Sequence, residues 1–219
     1  MGAPPEAVGG TAPRVAMIDY GSGNLRSVEK ALQHAGAAVE RCENSTRLDS
    51  CSAVVLPGVG SFGDCARSLR ARGLTEPLRE WLAADRPYLG ICLGYQIIFE
   101  GSEESPDEQG LGHWPGRVVR FPSQPGLKIP HMGWNDLHWR APDALFADLP
   151  DPAYVFFVHS YFPLPSDASI VTASSVHGVE FAAAARRSKV RGVQFHPEKS
   201  QSTGLRMLEN FVRSLHAEC

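Results

Sequence analysis

The sequence predicts an α/β fold: an open, mostly parallel twisted sheet flanked by helices, with an additional small antiparallel sheet. Three observations support this prediction. Short apolar segments alternate with segments of helical periodicity in the N-terminal half, as in repeated βα units. Further strand-like segments crowd the C-terminal half, and an amphipathic helix follows them. The 219 residues suit one domain with a sizeable core.

In the N-terminal half, short apolar runs favour strands and apolar residues at helical spacing favour helices. We predict strands at residues 15–20, 37–41, 53–56 and 87–91. We predict helices at residues 24–35, 62–72, 75–84 and 93–99. The first helix would turn Val28 and Leu32 inward, and Thr75 can cap the third.

The C-terminal half is richer in predicted strands. Residues 102–142 are rich in Gly and Pro, which indicates loops with short strands such as residues 117–121. Further strands are predicted at residues 154–161, 170–175, 179–184 and 190–196, and a final helix at residues 204–215. Because no repeat, linker or second domain is evident, we expect residues 14–219 to form a single domain. Residues 1–13, rich in Ala, Pro and Gly, are expected to be a flexible tail.

Composition argues against several classes of protein. A formal net charge of −3 gives no reason to expect a nucleic acid or an anionic membrane as partner. No apolar run approaches the length of a transmembrane helix. The five cysteines are scattered and lack metal-ligand spacing, so a reducing cytoplasm fits best. We expect Cys65 in the core, Cys42 and Cys51 beside a turn without a bridge, and Cys219 in solvent.

The segment Gly-Ile-Cys-Leu-Gly-Tyr-Gln at residues 90–96 has the glycine frame of a nucleophile elbow. Such a turn from strand to helix strains its apex residue and pushes that side chain, here Cys92, over the sheet edge. Glycines at positions 90 and 94 leave room for the crossing backbone. The N-terminus of the next helix would favour the thiolate. The alternative is a structural cysteine, since free cysteine is often a small core residue.

Residues 190–200 place a histidine and a glutamate where a strand is predicted to end. Alternating apolar residues favour a strand up to His196, and Pro197 stops it. His196 and Glu198 would then lie on one side, as an imidazole base oriented by a carboxylate requires. Alone, the pair also fits a surface histidine before a turn. Together with Cys92 it supplies a nucleophile, a base and an orienting group.

These motifs resemble those of class I (triad) glutamine amidotransferases, whose fold is flavodoxin-like. The elbow segment carries the resemblance together with Phe-His-Pro-Glu at residues 195–198. The segments that resemble the glutaminase subunit of imidazole glycerol phosphate synthase, from histidine biosynthesis, are residues 18–28, 57–64, 128–135, 158–161 and 198–200. Tyr95 departs from that pattern, where methionine is commoner, and so does Phe156, where tyrosine is commoner.

The resemblance implies that the chain hydrolyses L-glutamine to glutamate and ammonia through a γ-glutamyl thioester on Cys92. His196 would act as the base, held by Glu198, and no metal or organic cofactor is needed. The substrate-binding residues implied are Gly58, Val59, Gly60 and Leu93 around the oxyanion, and Gln96, Ser160 and Tyr161 around the glutamine α-groups. From the residues alone, the glycine-rich loop is equally an ordinary βα turn, and Gln96 a routine polar helix residue.

The resemblance also implies a partner. Ammonia would pass to a separate (β/α)₈-barrel cyclase subunit in a heterodimer, which makes imidazole glycerol phosphate and an aminoimidazole carboxamide ribotide. The residues implied at the interface are His131, Met132, Trp134, Asn135 and Lys199. On composition alone, Met132 and Trp134 would more often be core. Two other hypotheses stay open: a triad glutaminase serving another synthase, such as one for anthranilate or pyridoxal phosphate, and a non-catalytic scaffold.

Overall fold

The computed structural model describes residues 11–21 and 24–216. The strands are β1 Arg14–Ile18, β2 Ala38–Cys42, β3 Ala53–Gly58, β4 Tyr88–Cys92, β5 Phe99–Ser102, β6 Ser105–Gln109, β7 Trp114–Arg120, β8 His131–Trp139, β9 Ala153–His159, β10 Tyr161–Pro165, β11 Val171–His177, β12 Val179–Arg187 and β13 Val190–Val193. The helices are α1 Leu25–His34, α2 Phe62–Ala71, α3 Thr75–Ala83, α4 Leu93–Gln96 and α5 Gln201–His216. Residues 1–10 of the predicted tail, and Cys219, lie outside the described residues.

A nine-stranded sheet lies at the centre, in the order β2-β1-β3-β4-β13-β12-β11-β8-β9. The first five strands in this order, which are β2, β1, β3, β4 and β13, are parallel to one another. The remaining strands, from β12 to β9, continue the sheet by antiparallel pairing. Strand β4 therefore lies between β3 and β13, and all three direct their carboxyl ends to one edge. Open α/β sheets place their ligands at that edge.

Helices cover both faces of the sheet, and each face buries its own apolar core. On β1, Met17 faces one core and Ile18 the other, because successive strand residues point to opposite faces. Helices α1 and α5 pack on the first core through residues such as Leu32 and Phe211. Helices α2 and α3 pack on the second through residues such as Leu69. The predicted fold class is confirmed. No helix among the described residues is both long and apolar enough to span a bilayer.

The additional small sheet is confirmed, with one difference in its pairing. It has four strands in the order β10-β7-β5-β6. Its outer pairs are antiparallel, but β5 and β7 run parallel. The turn before β6 holds this sheet against α2, because the Phe62 N–H donates to Glu104 Oε2 over 2.7 Å. The small sheet thus packs beside the helix that follows the glycine-rich loop.

The predicted helix over residues 93–99 is wrong beyond Gln96. Phe99 instead begins β5 and pairs with Trp114 of β7. Its ring packs edge-on against Tyr95 and Trp114, with centroids 5.6 and 5.7 Å away. Pairing with a distant strand outweighs the local helical pattern here, since most helical stability in proteins comes from tertiary packing. The elbow helix is a single turn, so fewer aligned peptide dipoles stand behind Cys92 than predicted.

Several other element boundaries differ from prediction. The strand expected at residues 154–161 is two strands, β9 and β10, which separate at Ser160. Strand β13 ends at Val193, before His196, and α5 begins earlier than expected, at Gln201. Strand β8 was not predicted, because it lies in the Gly- and Pro-rich region. The expectation for the other described cysteines is confirmed: Cys65 is in the core, and Cys42 and Cys51 are free.

Candidate active site

Cys92 occupies a strained turn between β4 and α4. Its φ is +55°, in the left-handed region that side chains rarely adopt. The flanking glycines allow the backbones to cross: a Cβ on Gly94 would lie 1.7 Å from the carbonyl oxygen of Leu56, and one on Gly90 would lie 2.3 Å from that of Gly94. The Cys92 side chain is largely buried, with 7% of its surface exposed. The predicted elbow geometry is present at the carboxyl edge of the sheet.

His196 lies just past the end of β13, the strand beside β4. Its backbone is fixed at both ends: the His196 N–H donates to the Phe156 carbonyl over 2.9 Å, and its carbonyl accepts from Ser200 Oγ over 2.7 Å. Its ring Nδ1 is 2.8 Å from Glu198 Oε1. Glu198 belongs to the single 3₁₀ turn Pro197–Lys199, which brings its carboxylate back under the ring. The predicted histidine–carboxylate pair therefore forms.

His196 and Glu198 are both buried, with 3% and 2% of their side chains exposed. Burial lowers the pKa of His196, but attraction to Cys92 and then to Glu198 outweighs burial and raises this pKa to about 10. The ring Nε2 makes no hydrogen bond to a described residue, so sulfur and imidazole interact without an aligned hydrogen bond. The charged imidazolium that this pKa implies therefore lies beside the sulfur of the predicted nucleophile.

Gln194 is a residue at this site that the sequence-based prediction missed. Its side chain is completely buried, and its Nε2 donates to Cys92 Sγ over 3.6 Å. Its Oε1 accepts from Gln96 Nε2 over 3.1 Å. The available signal was a glutamine two positions before His196, inside the apolar segment predicted as a strand, because a buried amide needs hydrogen-bond partners.

The glycine-rich loop lies directly beside the elbow. Gly58 is the last residue of β3 and pairs with Cys92 of β4. A Cβ on Gly58 would lie 2.8 Å from Leu93 Cβ and 2.7 Å from the Tyr20 hydroxyl, so only glycine fits this approach. Gly60 has a φ of +104°, which also suits glycine, and Val59 between them is exposed. The structure thus brings the loop and Leu93 together on one side of Cys92.

The residues expected around the glutamine α-groups also come together. Gln96 is buried one turn after Cys92, and its Nε2 donates to the Tyr161 carbonyl over 2.8 Å. The neighbouring Ser160 carbonyl accepts from the Phe121 N–H over 3.1 Å. Gln96 therefore already hydrogen-bonds to the backbone of Tyr161, one of the residues expected to bind the glutamine α-groups together with it.

The residues expected at an interface lie on β8 and close to the edge strand β9. Met132 and Trp134 are 65% and 48% exposed, and Tyr154 on β9 is 56% exposed. Lys199 Nζ lies 5.8 Å from the Phe156 ring centroid, near the same strands. The side chain of His131, expected at the same surface, is instead buried. Strand alternation explains this difference, because His131 and Met132 are successive residues and point to opposite faces.

No three His, Cys, Asp or Glu side chains are grouped as metal ligands in the described part of the chain. A profile of the family described as "Glutamine amidotransferase class-I" matches residues 16–215. The chain belongs to the class-I glutamine amidotransferase family. The resemblance to the glutaminase subunit of imidazole glycerol phosphate synthase is confirmed, and the chain is an enzyme of this family.

Curated relatives of this amidotransferase match nearly its whole length. The imidazole glycerol phosphate synthase subunit HisH of Desulfitobacterium hafniense is 48% identical over 197 residues, covering 90% of this chain and 92% of that protein. HisH of Synechocystis sp. is 48% identical over 203 residues, covering 92% and 96%. The solved structure of PurLQS from Thermotoga maritima has a TM-score of 0.73 at 20% identity, covering 94% of this chain and 99% of that one. At that identity the likeness shows the fold alone.

Proposed function

We propose that this amidotransferase is the glutaminase subunit of an imidazole glycerol phosphate synthase. It hydrolyses L-glutamine to glutamate and ammonia with Cys92 as nucleophile, His196 as acid and base, and Glu198 as the orienting carboxylate. One observation carries the proposal: Cys92 interacts with a buried imidazole whose Nδ1 is 2.8 Å from a buried carboxylate. A scaffold that only binds a partner has no use for this arrangement.

The reaction begins with the thiolate of Cys92 and the protonated ring of His196. The thiolate attacks the side-chain carboxamide carbon of glutamine, and the C=O electron pair moves onto oxygen. As the tetrahedral intermediate collapses, the C–N bond breaks and His196 Nε2 donates its proton to the leaving nitrogen. Ammonia departs, and the glutamyl group remains as a thioester on sulfur.

The second half of the reaction regenerates the enzyme. The neutral His196 ring takes a proton from water as that water attacks the thioester carbon. Collapse of the second tetrahedral intermediate breaks the C–S bond and releases glutamate and the thiolate. Glu198 keeps the ring in one orientation, with Nδ1–H toward the carboxylate and Nε2 toward the sulfur, and stabilises the imidazolium.

The backbone N–H groups of Val59 and Leu93 are assigned as the hydrogen-bond donors to the oxyanion of each intermediate. The close packing of Gly58 on Leu93 supports this assignment, because it fixes the loop against the elbow. Fixed donors aimed at a developing negative charge stabilise the transition state strongly in a site that excludes water. Gln96 with the backbone of Ser160 and Tyr161 would then hold the α-amino and α-carboxylate groups of the substrate.

The ammonia is proposed to pass to a (β/α)₈-barrel cyclase subunit in a heterodimer, without entering bulk water. The names of the HisH relatives, which are subunits of a synthase, support a partner of this kind. So does the exposed pair of Met132 and Trp134, since exposed aromatic and methionine side chains are common interface anchors. The cyclase would make imidazole glycerol phosphate and aminoimidazole carboxamide ribotide. Free, scattered cysteines agree with a cytoplasmic enzyme.

The proposal is tested by measuring glutamate formation with the full chain, the cyclase subunit of the same organism and the nucleotide substrate of that cyclase. We expect hydrolysis by the wild type, none above background by Cys92→Ser, and near wild-type rates from Cys42→Ser at the far end of the sheet. We also expect the subunit alone to be slow. Equal rates for wild type and Cys92→Ser in the complete system would overturn the proposal.

A further inference from the structure

Two buried histidines lie beside the active site, and the proposed chemistry does not use them. His131 on β8 and His159 on β9 are directly paired across the two strands. Both are at least nine-tenths buried, and His131 Nδ1 is 3.0 Å from His159 Nε2. Two imidazoles at this distance share one hydrogen, so one ring donates and the other accepts.

The neighbouring groups decide which ring donates. His159 Nδ1 is 2.9 Å from the Tyr161 carbonyl oxygen, which can only accept. His159 therefore carries its hydrogen on Nδ1, and its neutral Nε2 accepts. His131 must then donate from Nδ1, which leaves its own Nε2 as an acceptor.

Asn135 supplies the donor that His131 Nε2 needs. The Asn135 Oδ1 accepts from the Asp136 N–H over 3.0 Å, which fixes the orientation of the amide. Its Nδ2 then lies 2.9 Å from the Val176 carbonyl and 3.2 Å from His131 Nε2, one hydrogen for each. The order of donation is therefore fixed: Asn135 to His131, His131 to His159, and His159 to the Tyr161 carbonyl.

The Tyr161 carbonyl joins this chain of hydrogen bonds to the active site. The same oxygen accepts from Gln96 Nε2, whose second hydrogen goes to Gln194 Oε1. Gln194 in turn donates to Cys92 Sγ. Hydrogen bonds thus run from Asn135, next to the exposed Trp134, as far as the nucleophile. They converge from both sides on one backbone carbonyl in the proposed glutamine pocket.

Aromatic rings enclose the two histidines and keep them neutral. The ring of Phe157 stacks on His131 at 4.7 Å, and Phe121 and Phe181 each lie 5.1 Å from His159. Burial lowers the pKa of His159 to about 3 despite its bond to the Tyr161 carbonyl. Burial, with the nearby His177, lowers the pKa of His131 to about 4. Hydrogen bonds in such surroundings are strong, and an unpaired polar atom is costly.

We propose that His131 and His159 are positioning residues for the glutamine pocket. His131 donates to His159, and His159 donates to the Tyr161 carbonyl. This fixed order of hydrogen bonds holds that carbonyl, and the Gln96 side chain bonded to it, in the geometry that binds glutamine. This inference rests on the proposed function, because it assigns the role through the glutamine pocket. Among the described residues, the hydrogen bonds that link the pair to Cys92 run through Tyr161, Gln96 and Gln194, so neither ring is assigned to the reacting atoms. The effect of the pair is therefore expected on substrate binding more than on the chemical step.

The kinetic test uses the full chain with its cyclase partner. His159→Phe keeps a ring but removes the donor to Tyr161, and we expect the KM for glutamine to rise about 3- to 10-fold, with kcat within about twofold. His131→Phe should raise KM less, because His159 can still donate. His131→Asn, whose amide replaces the Nδ1 donor, should restore KM. The matched control is His177→Phe: this ring stacks on His131 at 4.2 Å but bonds to the Lys128 carbonyl outside the chain of donors.

Nitrogen-15 NMR of the histidine rings tests the pair without any turnover. We expect His131 and His159 to carry hydrogen on Nδ1 from pH 8 to pH 5, and the His159 ring nitrogens to shift in His131→Phe. Hydrogen on Nε2 of either ring overturns the proposal, as does an active enzyme whose KM is unchanged by His159→Phe. A wild type no faster than Cys92→Ser refutes the proposed function instead. If His159→Phe fails to fold, the proposal is tested by the ring tautomers of the wild type and by the KM of His131→Asn.

Discussion

The side-chain amide of Gln194 donates to the sulfur of Cys92, with 3.6 Å between Nε2 and Sγ. Both residues are buried at the carboxyl edge of the sheet, Cys92 at the end of β4 and Gln194 just past the end of β13. A donor aimed at sulfur favours the thiolate over the thiol. Gln194 therefore places an uncharged hydrogen-bond donor at the sulfur, in addition to the cationic ring of His196.

Replacing Gln194 by Glu should make Cys92 less reactive. The substitution removes the donor and places a negative charge 102 positions away in sequence but next to the sulfur in space, and both changes oppose negative charge on an attacking sulfur. We expect the rate of Cys92 alkylation by iodoacetamide at pH 7 to fall about tenfold or more. Peptide mass spectrometry over a range of pH measures this rate. Gln33→Glu, on the exposed side of α1, should leave it unchanged; an equal fall in both variants would point to net charge instead.

Replacing Glu198 by Gln should lower both activity and the pKa of His196. The Glu198 carboxylate is one of the groups that raise this pKa, so its loss moves the pKa down. We expect kcat/KM for glutamine to fall about 100-fold or more, because the ring loses its orientation and its stabilised cation. Steady-state assays of the complex between pH 6 and pH 10 measure both effects. Glu209→Gln, on α5, is the control; activity retained in Glu198→Gln would contradict the assigned role.

Replacing Gly94 by Ala should disrupt the elbow. The new Cβ would lie 1.7 Å from the Leu56 carbonyl oxygen, a backbone atom that cannot rotate away. We expect a loss of about 3 kcal/mol or more in the free energy of unfolding, and a melting temperature lower by about 6 °C or more. Gly101→Ala is the matched control, since its Cβ would meet nothing closer than 3.6 Å. Calorimetry that finds both variants equally stable would refute the steric argument.

Trp134→Ala should weaken the complex without weakening the fold. Trp134 is about half exposed in the subunit alone, so its removal creates no core cavity. If it anchors the cyclase, the Kd should rise about 10- to 100-fold. Isothermal titration calorimetry measures the Kd, and thermal unfolding of the lone subunit checks the fold. Leu164→Ala, also at an exposed apolar residue but on the small sheet, should leave the Kd unchanged; a similar loss there would show that the effect is not local.

Acid should destabilise the fold through His159. Burial lowers its folded pKa to about 3, whereas an unfolded histidine has a pKa of about 6.5. Between these values the unfolded chain binds the extra proton, so the free energy of unfolding falls as the pH falls below about 6.5. Urea unfolding at pH 7, 6 and 5 measures this slope. It should be shallower in His159→Gln but not in His34→Gln, which changes an exposed histidine on α1.

Much of the fold could be predicted because its information is local. The apolar run that became β4 and the helical spacing that became α1 and α5 lie within single segments. Strand β8 and the end of α4 could not be predicted in this way. Phe99 leaves the helical pattern to pair with Trp114, and β8 is a strand because β9 lies beside it. Strand pairing depends on a partner that a window of sequence does not contain.

The chain by itself determined the residue types at the proposed site: a cysteine framed by glycines, and a histidine two residues before a glutamate. Those features depend on residue type and short spacing. Tertiary structure alone decided what surrounds them, namely that Gln194 reaches the sulfur and that His131 points inward toward His159 and not out to a partner. The physical reason is that a hydrogen bond depends on distance and direction in space, and folding brings together donors and acceptors that lie far apart along the chain.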